Sequence, residues 1–329
     1  MADRLRWGIL ATGSIAHAFA RGIENSRTGE LFGVGSRTLD AATRFAGEHG
    51  GRPYGSYDAL LADPEIDAIY IATPHHMHEE WTIKAAEAGK GILCEKPFTL
   101  NAIGARRALA AVEKAGVFFM EAFMYRCHPQ THKIVELVSQ GKLGAISSIA
   151  AEFGYSSKRD WDNFRLDGSV GGGALMDVGT YCVSMCRLIA REEPRSVAYL
   201  ARIGARGYDE VGAGSMLFPS GVTAHFGTAV HQQLENKVRI YGSEGMLEID
   251  DPWRCEGAMR LIQEGQAMQE WSLGTTREQL YAHEADAVAE FWEDRQCPFM
   301  TIADTLGNME TLDRMRESAA LYFACESKA

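Results

Sequence analysis

The chain has 329 residues, 46% of them apolar, which is enough for about two globular domains of roughly 150 residues each. Its 33 basic and 44 acidic residues give a net charge of −11, which argues against general binding to nucleic acid or to an anionic membrane. No window approaches the roughly 18 consecutive apolar residues of a membrane span, and we expect no signal peptide in the first residues.

The seven cysteines are scattered along the chain. Their odd number does not suggest a disulfide framework, and the absence of a CxxC pair argues against a structural zinc site. We therefore expect reduced thiols, a cytoplasmic protein and no bound metal.

Residues 5–10 are predicted to form a strand that leads through a tight turn into a helix over residues 14–24. The turn reads AxGxxA, where dinucleotide-binding folds carry GxGxxG. A pyrophosphate approaches bare backbone at such a helix amino terminus. A βα turn without a ligand is the alternative interpretation. The candidate cofactor contacts in this turn are Thr12, Gly13, Ser14 and Ile15.

The second strand is predicted over residues 31–35, and Ser36, Arg37 and Thr38 follow it. An enzyme that uses NAD places an acid here to accept from the ribose 2′-hydroxyl, whereas serine and arginine can donate to a 2′-phosphate. The sequence therefore favours NADP(H), with NAD(H) as the alternative. Ser36 and Thr38 can also cap the helix predicted over residues 39–49.

A third buried strand is predicted over residues 68–72, and three histidines lie in the loop after it. Zinc ligands on a helix are usually four residues apart, and no carboxylate or cysteine partner is evident. We therefore favour cofactor contact over metal binding for this loop. The candidate contacts are Thr73, Pro74 and His78.

Glu95, Lys96 and Pro97 end the strand predicted over residues 92–94. Lys96 is thereby placed at the carboxyl edge of a sheet, where open α/β sheets bind ligands. An ordinary solvated lysine is the alternative. Helices and strands alternate up to the strand predicted over residues 117–121, which indicates a parallel, doubly wound sheet.

From about residue 146 the pattern changes to antiparallel strands joined by turns. We place the domain boundary so that residues 1–124 bind a dinucleotide and residues 125–329 bind substrate and mediate oligomerisation. The two last helices, near residues 283–295 and 304–318, are expected to pack on the first domain or beside the sheet. The predicted antiparallel strands are residues 146–153, 196–203, 215–218, 222–229 and 237–240.

A helix interrupts these strands after the glycines at 171–173. Asp177 and Tyr181 are four residues apart and share a face of that helix. A carboxylate and a phenol on one face can transfer protons. An exposed aspartate beside a half-buried tyrosine is the alternative.

Together these residues resemble the glucose–fructose oxidoreductase/inositol dehydrogenase (Gfo/Idh/MocA) family. The likeness rests on the turn at 11–16, Thr73-Pro74 with His78, Glu95-Lys96-Pro97 and the run 171–181. It implies an α/β protein with an amino-terminal Rossmann domain and a carboxyl-terminal α/β domain with a large, predominantly antiparallel open sheet. That sheet is expected to form the interface of a homodimer or homotetramer.

The run 120–126 and the tyrosine at 181 look most like the branch of NADP-dependent D-xylose dehydrogenases and dimeric dihydrodiol dehydrogenases. Many relatives carry histidine in place of Tyr181, which puts inositol in doubt as the substrate. The resemblance implies a cis Pro97 and places Lys96 beside the nicotinamide. It adds four candidate cofactor contacts, namely Glu95, Arg126, Trp161 and Arg165.

The implied reaction is hydride transfer between a carbinol carbon and nicotinamide. Tyr181 is the first candidate for the general acid/base, because a nearby Lys96 would lower the phenol pKa from about 10. Lys96 acting as the base is the alternative, and Asp177 is expected to orient the sugar hydroxyl or Lys96. The expected substrate is a sugar or polyol. The alternatives are a trans-dihydrodiol dehydrogenase or dicarbonyl reductase, and a non-catalytic NAD(P) sensor.

Overall fold

The computed structural model of the protein describes residues 4–157 and 163–328. In chain order the strands are β1 (Leu5–Leu10), β2 (Gly29–Gly35), β3 (Arg52–Tyr54), β4 (Ala68–Ile71), β5 (Gly91–Glu95), β6 (Phe119–Ala122), β7 (Ile146–Gly154), β8 (Ser196–Ile203), β9 (Asp209–Leu217), β10 (Thr223–Ala229), β11 (Lys237–Gly242), β12 (Met246–Asp250), β13 (Met259–Ile262) and β14 (Gln269–Trp271). The helices are α1 (Ser14–Glu24), α2 (Leu39–His49), α3 (Tyr57–Leu61), α4 (His78–Glu87), α5 (Ala102–Ala115), α6 (Pro129–Ser139), α7 (Thr180–Ala190), α8 (Arg277–Glu290) and α9 (Ile302–Ser318). Each helix in these two stretches is too short or too polar to cross a membrane.

The chain forms two compact units. The first consists of the chain up to His128 together with Thr275–Leu306, and the second consists of Pro129–Gly274 and the chain from Gly307 onward. The break after His128 lies four residues beyond the boundary placed at 124, and the segment 275–306 returns to the first unit.

The first unit contains a six-stranded parallel sheet in the order β3-β2-β1-β4-β5-β6. This confirms the predicted Rossmann sheet. The order reverses between β1 and β4, and a doubly wound sheet binds ligands outside the carboxyl ends of its strands at that point. The turns after Leu10 and Ile71 leave the sheet on the two sides of this switch point.

Helix α1 packs on the first sheet through the buried face that Ala16, Phe19 and Ile23 form at helical spacing. Helix α8 packs against α1, and a Cβ on Gly22 would lie only 2.4 Å from Cβ of Tyr281. The close approach therefore requires glycine at position 22. Of the two helices predicted near the end of the chain, α8 is therefore one that packs on the first unit.

The second unit contains an eight-stranded sheet in the order β14-β13-β12-β11-β7-β10-β9-β8. Strands β7 and β10 are parallel and the other neighbours are antiparallel, which confirms the mostly antiparallel sheet. Along β11, Val238 and Ile240 are buried, whereas Lys237 and Arg239 point to the other face.

The sequence analysis missed β3, α3 and the strands β12 to β14. Strand β3 has only three residues and includes Pro53, so it carries no apolar run to signal it. Strands β13 and β14 have only four and three residues, and ion pairs of Arg260 with Asp250 and Glu270 join them to each other and to β12.

Candidate active site

The turn after β1 leaves the amino terminus of α1 open. Gly13 precedes the helix with an extended backbone, and no described side chain caps its first amides. A Cβ built on Gly13 would meet no atom of the described residues within 4 Å. Thr12, Ser14 and Ile15 are at least partly exposed beside this space. Free amides and the helix dipole favour an anion, so the turn fits a pyrophosphate.

Ala11 opens this turn in a left-handed conformation with φ of +94°. Its amide donates to the carbonyl oxygen of Gly35 at 3.0 Å, which ties the end of β1 to the end of β2. Glycine adopts positive φ without steric cost, whereas a Cβ is strained there. Ala11 therefore holds backbone strain that a glycine would not have.

The end of β2 presents an arginine to solvent. Ser36 is buried and its amide donates to the Tyr54 carbonyl at 3.1 Å, while Arg37 is exposed. Within the described part of the chain, no carboxylate forms an ion pair with Arg37. Thr38 caps α2, because its hydroxyl accepts from the Ala41 amide at 3.3 Å. The predicted capping role is confirmed for Thr38.

His78 ties the turn after β4 to the turn after β5. Its Nε2 lies 2.8 Å from the Thr73 carbonyl oxygen and its Nδ1 lies 3.0 Å from the Pro97 carbonyl oxygen. Burial lowers the pKa of His78 to about 4, so the imidazole is neutral and donates through one nitrogen at a time. The hydroxyl of Thr73 is buried without a partner among the described residues, which leaves a donor for a ligand.

Lys96 is the first residue after β5, and its side chain is half-buried. The Lys96–Pro97 peptide bond is cis, as the resemblance implied. Glu95 accepts a hydrogen bond from the buried Tyr70 hydroxyl, and Glu121 accepts from the Phe98 amide at 2.9 Å. Buried carboxylates therefore hold the backbone on both sides of Lys96.

Arg126 is buried, with its side chain 4% exposed. Its guanidinium forms an ion pair with Asp304, and its Nε donates to the Phe299 carbonyl at 2.8 Å. These contacts hold the segment after β6 against residues 299–304. Arg126 thus supports the fold of the first unit from the interior.

In the second unit, Asp177 accepts from two side chains. The Tyr155 hydroxyl donates to Oδ2 at 2.5 Å and Arg165 Nε donates to Oδ1 at 3.1 Å. Burial and the Asp177 charge raise the pKa of Tyr155, so its hydroxyl stays protonated as the donor. The carboxylate is thereby fixed in orientation, and its side chain is only 11% exposed.

Asp177 lies in a π-helical turn, Leu175–Gly179, rather than in the expected regular α-helix. Such turns insert extra backbone and are frequent at functional sites. Tyr181 follows in the first turn of α7, with its ring 5.2 Å from Phe153 and 6.0 Å from Trp253. The tyrosine is 4% exposed, so its ring is held by aromatic neighbours.

Asp209 anchors the start of this π-helical turn. Its Oδ2 accepts from the Leu175 amide at 2.7 Å and from the Tyr199 hydroxyl at 2.6 Å. Gly173 has φ of +133°, and a Cβ there would lie 1.9 Å from Asp209 Oδ1, so this site requires glycine. Burial raises the pKa of Asp209 to about 6.

The structure places most of the predicted residues in two groups. The turns at 11–15, 73–78 and 95–97 share the carboxyl edge of the parallel sheet, and Arg165 and Asp177 meet within the second unit. Trp161 lies outside the described residues. The sequence analysis missed Tyr155 and Asp209, because their partners lie 22 and 34 residues away and no local pattern links them.

Two family models match the chain. Residues 5–123 match an oxidoreductase family with an NAD-binding Rossmann fold, and residues 131–248 match the GFO/IDH/MocA carboxyl-terminal domain. Among relatives, D-xylose 1-dehydrogenase (NADP(+)) 2 of Haloferax volcanii is 32% identical over 98% of this chain and 99% of its own. The chain therefore belongs to the Gfo/Idh/MocA family of NAD(P)-dependent oxidoreductases.

Two further proteins are similar over most of the chain. The trans-1,2-dihydrobenzene-1,2-diol dehydrogenase of Mus musculus is 33% identical over 76% of this chain and 75% of its own. A 3-ketoreductase from Actinomadura kijaniata, crystallised with NADP and TDP-benzene, superposes with a TM-score of 0.88 at 27% identity and covers 96% of this chain and 98% of its own. Similar proteins thus bear names of enzymes acting on a sugar, a dihydrodiol and a ketone.

Proposed function

We propose that the protein is an NADP(H)-preferring oxidoreductase that transfers a hydride between nicotinamide and the carbinol or carbonyl carbon of a sugar or polyol. The observation that carries this proposal is the position of Lys96. This half-buried lysine directly follows β5, at the sheet edge that also bears the open amino terminus of α1. The relative named as a D-xylose dehydrogenase supports the substrate class.

The residues of the first unit fit a dinucleotide, given the open helix terminus and the unpaired donor on Thr73. When bound, the cofactor supplies the nicotinamide ring that accepts or gives the hydride. The turn at 11–15 would hold the pyrophosphate, and Thr73 with Pro74 would line the cofactor beside the switch point. Glu95, His78 and Arg126 would support the cofactor site indirectly, because their hydrogen bonds hold the neighbouring turns in place.

Ser36 and Arg37 carry the preference for NADP(H). An exposed guanidinium at the end of β2 can pair with a 2′-phosphate through two parallel hydrogen bonds. A carboxylate, which would repel that phosphate and favour NAD(H), does not follow β2.

We assign Lys96 and Tyr181 to the same substrate oxygen. The Lys96 ammonium would hold that oxygen and stabilise its developing negative charge. The Tyr181 hydroxyl would take the proton during oxidation and return it during reduction. Lys96 as the proton acceptor is the alternative assignment.

Asp177 would orient the substrate rather than move a proton. Tyr155 and Arg165 each donate to one of its oxygens, which fixes the orientation of a carboxylate that would accept from a sugar hydroxyl. Trp161 and Arg165 remain proposed neighbours of the nicotinamide end of the cofactor.

A trans-dihydrodiol dehydrogenase or dicarbonyl reductase is the second candidate function. The relative named as a trans-1,2-dihydrobenzene-1,2-diol dehydrogenase supports this candidate. A non-catalytic NAD(P) sensor is disfavoured, because a sensor has no need of Lys96 and Tyr181.

We further propose that the protein is cytoplasmic and assembles as a homodimer or homotetramer through the eight-stranded sheet. All seven cysteines are free and six are buried, which suits a reducing compartment. Leu200 and Ile203 on β8 are 77% and 46% exposed, which would suit an interface.

The test is the change in nicotinamide absorbance with purified protein, NADP⁺ or NAD⁺, and a panel of aldoses, inositols and trans-dihydrodiols. Reduction of NADP⁺ by aldoses supports the proposal. Reduction by dihydrodiols alone would select the second candidate. If absorbance did not change with any donor, nor with NADPH plus keto sugars and dicarbonyls, the non-catalytic NAD(P) sensor would be the remaining hypothesis.

A further inference from the structure

Two histidines and a glutamate, none of which is assigned to the reaction, converge between α1 and α2. His17 lies in α1, and Glu48 and His49 are the last two residues of α2. Nδ1 of His17 lies 2.7 Å from Nε2 of His49 and 3.4 Å from Oε2 of Glu48. Nε2 of His49 lies 3.9 Å from the same oxygen.

The separations between these three atoms are close to those between the ligand atoms of a metal ion. Zinc binds nitrogen and oxygen at about 2.0–2.2 Å in a tetrahedron, which puts its ligand atoms about 3.3 Å apart. The three observed distances, 2.7, 3.4 and 3.9 Å, lie on both sides of that value. The two imidazole nitrogens would have to separate by about 0.6 Å to admit the ion. The Glu48 side chain is 64% exposed and can rotate to bring its oxygen into place.

The two rings already present a lone pair. Two nitrogens 2.7 Å apart cannot both carry a proton. At least one of His17 Nδ1 and His49 Nε2 is therefore unprotonated, and its imidazole is neutral. A neutral imidazole is the form that binds a metal.

The surroundings fix the orientation of both rings. Phe45 packs against them, with ring centroids 4.5 Å from His17 and 4.7 Å from His49. The other nitrogen of His49 faces a carboxylate, since Nδ1 lies 3.9 Å from Oε1 of Glu24. A carboxylate behind a ligating histidine is the usual outer partner in zinc sites.

We propose that His17 Nδ1, His49 Nε2 and Glu48 Oε2 form a zinc-binding site, with water as the fourth ligand. The ion would join α1 to α2 and stabilise the first unit. One carboxylate leaves the bound ion with a net positive charge, which Glu24 partly offsets. The site is independent of the proposed reaction, so its test needs no substrate.

The test is calorimetric titration of chelator-treated, full-length protein with zinc chloride. One saturable equivalent is expected, and His17→Ala or His49→Ala should weaken it about 100-fold or more. Glu24→Gln should weaken it about tenfold. His225→Ala removes an exposed histidine from the second unit and should leave zinc binding unchanged.

Cobalt(II) chloride gives a second readout that separates this site from the cysteines. Visible absorption of tetrahedral cobalt without a sulfur-to-cobalt band in the near ultraviolet is expected, and His17→Gln should abolish it. A sulfur band, no saturable binding, or wild-type binding by both histidine variants would each overturn the proposal. Circular dichroism of the metal-free variants checks that they are folded.

Discussion

The two units hold their candidate residues in different ways. In the first unit, polar side chains directly follow the strands, so the parallel sheet itself brings them to one edge. In the second unit, Asp177 depends on Tyr155 and Arg165, which lie 22 and 12 residues away, and its turn depends on Asp209. The candidate residues of the first unit are thus placed by local sequence, whereas Asp177 in the second unit is placed by long-range packing.

This difference predicts how the two units respond to mutation. A substitution at a strand end in the first unit should remove one function and leave the fold intact. A substitution that loosens the support of the π-helical turn should reduce stability and function together, because the same hydrogen bonds serve both.

Lys96→Met should give the largest loss of activity. It removes the ammonium that we assign to the substrate oxygen, and loss of one such charge-stabilising donor lowers kcat by about 100-fold or more. Binding of NADPH, measured by fluorescence titration, should change little, and so should the unfolding midpoint. Lys84→Met, which removes a partly exposed lysine paired with Glu80, serves as the control.

A double-mutant cycle with Tyr181→Phe sharpens this prediction. If Lys96 and Tyr181 act on one oxygen, the double variant should lose far less than the product of the two single losses. Fully additive effects would show that the two residues act independently. Near-normal turnover of Tyr181→Phe would leave Lys96 as the proton acceptor.

Asp209 should give the largest change in stability. Asp209→Ala leaves the Leu175 amide and the Tyr199 hydroxyl buried without their acceptor, so the free energy of unfolding should fall by about 3 kcal/mol. Urea unfolding measures this loss. An unchanged midpoint would show that the turn does not depend on Asp209.

The pH dependence of the Asp209→Asn variant tests the same group. The folded-state pKa is about 6, above the unfolded value of about 3.9, so protonated Asp209 stabilises the fold below pH 4. That contribution is lost as the pH rises through 6. The stability of Asp209→Asn relative to wild type should therefore rise by about 2 kcal/mol between pH 4 and pH 7. The Tyr199 hydrogen bond lowers the pKa of Asp209, so Tyr199→Phe should raise this pKa. The stability contributed by protonated Asp209 should then persist to higher pH.

Arg37→Ala tests the assignment of Arg37 in the first unit to the 2′-phosphate, and its effect should be smaller than that of Lys96→Met. Loss of a charged hydrogen-bonding partner costs about 1.5–3 kcal/mol, so the dissociation constant for NADP⁺ should rise by about 10- to 100-fold while that for NAD⁺ changes little. Arg44→Ala removes another exposed arginine from α2 and should leave both constants unchanged. Equal weakening of NADP⁺ and NAD⁺ by Arg37→Ala would contradict the 2′-phosphate assignment.

The same contrast explains what could be predicted from the sequence. Helices α1 and α2 have the predicted bounds, because apolar periodicity and capping residues such as Thr38 mark them locally. The sequence also predicted that Lys96 lies at the carboxyl edge of the sheet, because a buried strand precedes it and a proline follows it. For the last helices the sequence left two alternatives, packing on the first domain or beside the sheet, since the glycine that admits α8, Gly22, lies far away in the chain.

The π-helical turn shows the limit more clearly. The spacing of Asp177 and Tyr181 suits an ordinary α-helix, and no residue in that run signals an extra backbone residue. Its start is held by Asp209, a carboxylate from the beginning of β9. Only the folded sheet brings these residues together, so sequence spacing alone cannot predict them.

Ala11→Gly should give the smallest of these effects, a change in the free energy of unfolding that arises at a single backbone position. Alanine at φ of +94° is strained by about 1–3 kcal/mol, and glycine would relieve this strain at an entropic cost of about 0.4–1 kcal/mol in the unfolded chain. The net result should be a stabilisation of about 1 kcal/mol in urea unfolding. Ala16→Gly, a buried position inside α1, should instead destabilise by about 1 kcal/mol. If both variants lost stability alike, Ala11 would be unstrained, and the backbone of the turn would differ from the one described.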